Sequence, residues 1–68
     1  MLNKKALKSQ MVLFGDTQEI LARALGITRQ ALSHKMNGKA QFTLNEVRAI
    51  RRRYNLPMDV IASIFFAE

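Results

Sequence analysis

The chain has 68 residues and a formal net charge of +6, eleven Lys and Arg against five Asp and Glu, with no cysteine and one histidine. A chain this short buries only ~60% of the surface its unfolded form exposes, which suits a single domain over residues 1–68. Lack of cysteine excludes disulfides and thiolate zinc sites, and one histidine builds no metal site alone. At 49% hydrophobic and 24% charged the composition is globular, and the basic surplus favours a polyanionic partner, nucleic acid before an anionic membrane.

No alternating run bounded by turn residues marks a strand, so the chain reads as all-α, with five short helices. The first covers about residues 3–14. Leu7, Met11 and Phe14 recur at i, i+4 and i+7 and form its inner stripe. Lys4, Lys5 and Lys8 fall outside that stripe and read as solubilising charge, or else as added long-range attraction to DNA. Gly15 ends the helix, and either Asp16 or Thr17 caps the second. Leu21 and Leu25 make the inner stripe of the second helix, and Gly26 stops it, because glycine takes a left-handed turn without a Cβ penalty.

Thr28 caps a third helix that ends at Asn37-Gly38. The fourth has the clearest start: Thr43-Leu44-Asn45-Glu46 is a capping box, with Phe42 before it placed to staple onto Val47. Its apolar arc is Leu44, Val47, Ile50 and Tyr54, and Arg51, Arg52 and Arg53 occupy its last turn, where cations suit the helix dipole. Pro57 opens the fifth helix in its first turn, and Met58, Ile61, Ile64, Phe65 and Phe66 make that helix unusually apolar.

Residues 18–37 carry the chemistry. Two helices joined by so short a turn cross steeply and closely, which requires a small residue such as Ala22 inside the first and a plug such as Ile27 between them. At ~100° per residue, Arg29, Gln30, Ser33, His34 and Asn37 fall within an arc of about 140° on the third helix. Alone, such an arc is a solvated helix face. After a glycine turn, in a +6 chain with Gln18 opening the preceding helix, it is a row of groups suited to base edges: Arg to guanine, Gln to adenine, Ser or His to several bases.

The set Thr17-Gln18, Leu21-Ala22, Gly26-Ile27-Thr28 and Asn37-Gly38-Lys39, at this spacing, resembles the Cro/repressor or lambda-repressor-like helix-turn-helix family, most closely the small switch regulators of temperate phages. The resemblance covers roughly residues 7–64. It implies a compact five-helix domain with the helix-turn-helix at helices 2 and 3, and double-stranded DNA as the partner. Arg29, Gln30, Ser33 and His34 would then face bases, while Thr17, Gln18, Thr28, Asn37 and Lys39 would approach the DNA backbone. It also implies a transcriptional regulator, homodimeric at least on DNA, in the cytoplasm of a bacterial host, with no cofactor and no small-molecule ligand.

Three residues depart from the family pattern. Asp16 stands before the cap where an apolar residue is usual. Lys35 lies at the centre of the inner arc of helix 3, and Arg51 interrupts that of helix 4. Burying either cation unpaired would cost several kcal/mol, so both are expected to snorkel to the core edge, with Met36 filling the volume that Lys35 vacates.

Other functions find less support. The longest apolar stretch, residues 60–67, contains Ser63 and is far short of the ~20 residues that span a bilayer. No secretory signal is present at the N-terminus. No Ser, Cys or carboxylate constellation accompanies His34, so neither catalysis nor metal binding is expected. Ile61, Ile64 and Phe65 read as core, but with Val60 and Phe66 also apolar the last helix is apolar on more than one side, which suggests a surface at Val60, Phe65 and Phe66 for a homodimer or for a partner repressor protein. Through this surface and the Arg51–Arg53 cluster, the competing reading is a protein-interaction module or an antitoxin.

Overall fold

The helix stops and caps written into the sequence organise the computed structural model, which describes residues 2–66; Ala67, the end of the apolar stretch, lies outside the described residues. Helices run α1 (Lys4–Leu13), α2 (Gln18–Leu25), α3 (Arg29–Met36), α4 (Leu44–Tyr54) and α5 (Met58–Phe65), and no strand occurs among the described residues. Asn3 caps α1 by accepting from the Ala6 amide at 3.1 Å. Its own amide donates to the Ile64 carbonyl at 2.6 Å, tying the start of α1 to the end of α5. Leu7 and Met11 are buried. Phe14, predicted to complete their stripe, instead caps the helix and leaves the helical register. It is 52% exposed, its ring 5.0 Å from that of Tyr54.

Thr17, not Asp16, caps α2, its hydroxyl oxygen accepting from the Ile20 amide at 3.2 Å. Gly26 ends α2 at φ 72°, where a β-branched side chain would be strained. The Ile27 amide donates back to the Ala22 carbonyl at 3.0 Å. Ala22 is buried where α2 and α3 pack together, and Ile27 and Leu25 are half-buried against the same core. Thr28 caps α3 by accepting from the Ala31 amide at 3.0 Å, and Leu32 and Met36 anchor α3 in the core.

The capping box of α4 is complete: Thr43 accepts from the Glu46 amide at 3.2 Å, and Glu46 accepts from the Thr43 amide at 2.9 Å. Ile50 and Tyr54 are buried and Val47 and Phe42 half-buried, but Leu44 is 63% exposed. At the first helical position it faces water rather than continuing the predicted arc. Asn55 takes a left-handed conformation at the end of α4, φ 50°, which Asn tolerates better than most side chains. Pro57 lies one residue outside α5, as its cap, with its carbonyl accepting from the Val60 and Ile61 amides at 3.1 Å.

Two polar clusters lock the bundle, and both use the residues that depart from the family pattern. Lys35 does not snorkel. Its ammonium donates to Glu46 Oε1 at 2.6 Å, with the two side chains 14% and 11% exposed, and the Phe42 ring lies 6.0 Å away. The one Oε1 thus accepts from the cap amide of α4 and from a lysine of α3. Burial would raise the Glu46 carboxyl, but the bonds from Lys35 and Thr43 hold it below its ordinary 4.5. Arg51 does reach the edge, exposed, with Nε donating to the Leu56 carbonyl at 3.2 Å.

Asp16 is the centre of the other cluster. It accepts from Arg53 Nε at 2.6 Å, Arg53 Nη2 at 2.8 Å and the Tyr54 hydroxyl at 2.6 Å. The Arg53 bond is the main force holding the carboxyl below its ordinary 3.8, while burial and the bond to Asp16 push the Tyr54 phenol up. Only 5% of the Asp16 side chain is exposed, against 36% for Arg53. Asp16→Asn removes the charge while keeping the shape. With the open side of Arg53 discounted, it should cost about 2 kcal/mol. Thermal melting by circular dichroism should show a drop of about 8–16 °C; a midpoint shifted by under ~2 °C would mean the cluster contributes nothing.

Candidate nucleic-acid interface

Helix α3 has an inner and an outer side because its buried residues, Leu32 and Met36, are one turn apart. Arg29, Gln30 and His34 lie outside that seam and are exposed, and Ser33 is half-buried. Among the described residues, the side chains of Arg29, Gln30 and His34 make no hydrogen bond or ion pair, so their donors and acceptors face solvent unengaged. Their backbone is far from free. It is fixed by the Thr28 cap at one end, by the buried seam, and by the Lys35–Glu46 bond toward the other. A ridge of uncommitted polar groups thus stands on a helix held at several points.

Thr28 and Thr17 are exposed, and each uses its hydroxyl oxygen as an acceptor for its own helix, which leaves the hydroxyl proton available outward. Gln18 is half-buried at the first position of α2. At this end the two helices meet in a shallow cleft of about 400 Å³ lined by Glu19, Ala22, Arg23, Ile27 and Arg29, which brings Arg29 beside the outer face of α2. There Arg23 pairs with Glu19 at 3.6 Å, exposed on both sides.

Lys39 is exposed beyond the other end of α3, its amide donating to the His34 carbonyl at 2.9 Å. Asn37 is more engaged than the sequence suggested. Its Oδ1 accepts from Lys4 Nζ at 2.5 Å, and its Nδ2 lies 3.4 Å from Ser33 Oγ, a long bond. Lys4 therefore joins this end of the ridge. No local pattern could have revealed it, since 33 residues separate it from Asn37.

The terminal apolar surface is smaller than the sequence implied. Phe65 is 9% exposed and belongs to the core, edge-on to Phe42 with ring centroids 5.4 Å apart. Val60 is half-buried against the same core. Phe66 remains, 65% exposed, at the rim of a cleft of about 480 Å³ shared with Leu2, Phe42 and Val47. Among the described residues, no three His, Asp or Glu side chains converge as a metal would need, and no helix is long and apolar enough to cross a membrane.

Among the described residues, five helices and no strand, a glycine turn between α2 and α3 and an exposed polar ridge on α3 define a helix-turn-helix domain. The helix-turn-helix family model matches residues 7–61, and the chain belongs to that family. It is of the lambda-repressor-like type, whose domains are DNA-binding regulators of transcription. Among curated proteins and among solved structures, no relative matches the chain significantly.

Proposed function

We propose that the protein is a sequence-specific regulator of the Cro-like kind, a phage or prophage switch protein acting in the bacterial cytoplasm. The observation that carries this reading is the ridge itself: Arg29, Gln30 and His34 unengaged on a helix whose backbone is fixed by caps and core. In this reading α3 lies in the major groove with its N-terminal end toward the bases. Arg29, Gln30, Ser33 and His34 read base edges. Thr17, Gln18, Thr28, Asn37 and Lys39 bind backbone phosphates at the two ends of the ridge, and set its register without reading sequence.

A homodimer through Phe66, with Val60 at its margin, would place two ridges on half-sites ~34 Å apart, one turn of duplex. Selection of bound sequences from a random duplex pool tests both parts. We expect an enriched motif arranged as an inverted repeat. A pool that stays random at modest ionic strength would remove sequence reading, and an asymmetric motif would remove the dimer.

One observation favours a second reading, a module that binds a partner repressor or a toxin. Arg51 and Arg52 are exposed close to the end of α4 and Phe66 is bare after α5, whereas Arg53 is occupied by Asp16. The double substitution Arg29→Ala and Gln30→Ala separates the two: base reading predicts lost regulation in a folded protein, the partner reading predicts regulation retained.

A further inference from the structure

Lys4 sits on α1, outside the helix-turn-helix, yet its ammonium is 2.5 Å from Oδ1 of Asn37 at the end of α3. Neither group has a carboxylate partner among the described residues. Lys39, a second cation, follows two residues after Asn37 and is exposed. The end of α3 therefore gathers two ammonium-bearing chains and a carboxamide with no acidic side chain bonded to them. A solubilising lysine needs no such seat, since water solvates its head anywhere on the surface.

Hydrogen-bond donors remain on both side chains, with Lys4 half-buried and Asn37 exposed. An ammonium has three donors, and Asn37 takes one, leaving two. Because Oδ1 is engaged by Lys4, the carboxamide must present its Nδ2 on the other side, where the 3.4 Å approach to Ser33 uses one N–H weakly and leaves one free. Three unused donors thus remain on two side chains bonded to each other, and their natural acceptor is an oxyanion of a size that several N–H groups can share. Part of the attraction of Lys4 to this place is the partial negative charge at a helix C-terminus. That charge alone is about half an electron, and Lys39 lies beside it already.

We propose that Lys4 is a DNA-backbone contact: with Asn37 and Lys39 it grips one phosphate at the C-terminal end of the ridge, so that α1 helps set the register of α3 in the groove. This inference rests on the DNA-binding reading. Through the Asn3–Ile64 bond, α1 is also tied to α5, so the grip is held on the folded body rather than on a loose arm.

The test compares Lys4→Met with Lys5→Met, a neighbouring exposed lysine of α1 with no bonded partner, by measuring affinity for the selected site and for a random duplex across about 50–200 mM salt. Lys4→Met should weaken both duplexes by the same factor, ~3–10-fold at about 0.1 M salt, and flatten the log–log salt slope by about 0.9. Lys5→Met should change the slope by less than half of that, and both variants should melt within ~2 °C of the parent. Equal slopes for the two variants would overturn the contact, as would a Lys4→Met protein that melts lower but keeps the parental slope, which marks a purely structural tie. If the parent binds neither duplex, the DNA reading fails and the grip fails with it; where the parent binds, the outcome bears on Lys4 alone.

Discussion

Glu46→Ala should destabilise the protein by about 3–5 kcal/mol, most of what a domain of this size has to lose. One carboxylate oxygen performs two tasks, accepting the cap amide of α4 and neutralising Lys35. Removing it opens the capping box, worth ~1 kcal/mol, and leaves an ammonium unpaired with only 14% of its side chain exposed, which is the costlier fault. The melting midpoint should fall by at least ~12 °C. Lys35→Leu should be far milder, because Glu46 keeps its amide partner and leucine suits the core. The double substitution Lys35→Leu with Glu46→Ala should recover well over half of the Glu46→Ala loss, a coupling of ~2 kcal/mol or more. Additive losses would show that Lys35 and Glu46 do not depend on each other.

Acid should expose the same dependence. The Glu46 and Asp16 carboxyls are held below their ordinary 4.5 and 3.8 in the folded protein, so the unfolded chain binds protons more readily. Their contribution is then complete above the unfolded values and is lost as pH falls through the lower folded ones. Melting midpoints should be flat from neutral pH to about pH 5, then decline. Glu46→Ala in the Lys35→Leu background should decline less steeply, since one of the two groups is gone.

These clusters also mark where the sequence stops being legible. Helix boundaries can be read because their signals are local: Thr17, Thr28 and Thr43 each cap a helix by accepting from the amide three residues on. The exposure of Arg29, Gln30 and His34 can be read for the same reason, since one cap and the spacing of Leu32 and Met36 fix a short helix's outer side. The roles of Asp16, Lys35 and Asn37 cannot, because their partners Arg53, Glu46 and Lys4 stand 37, 11 and 33 residues away. A cation in an apolar arc shows that something must neutralise it but not what. Phe14 and Leu44 differ from expectation for another reason: each falls at a helix end, where a shift of one residue carries a side chain from the core to water.

The largest effect on function should come from salt. If basic side chains neutralise about five phosphates per subunit, Lys39 among them, while Thr17, Gln18, Thr28 and Asn37 add uncharged contacts, the log–log slope of affinity against salt is near about −4.5 per subunit. Raising salt from about 50 to 200 mM should then weaken binding about 500-fold per subunit. Since that attraction is blind to sequence, it should act on selected and random duplexes nearly alike, and the ridge should supply the difference between them. Lys39→Ala should weaken both and flatten the slope by about 0.9. Arg29→Ala should cost ~1–3 kcal/mol on the selected site, roughly 5–160-fold, with a smaller loss on random DNA and relaxed preference at one base pair. The quantity to follow is the ratio of the two affinities at fixed salt, which Lys39→Ala should preserve and Arg29→Ala should collapse. A ratio that both variants leave untouched would mean that the exposed side of α3 holds to DNA as bare charge, and that no residue on it reads a base.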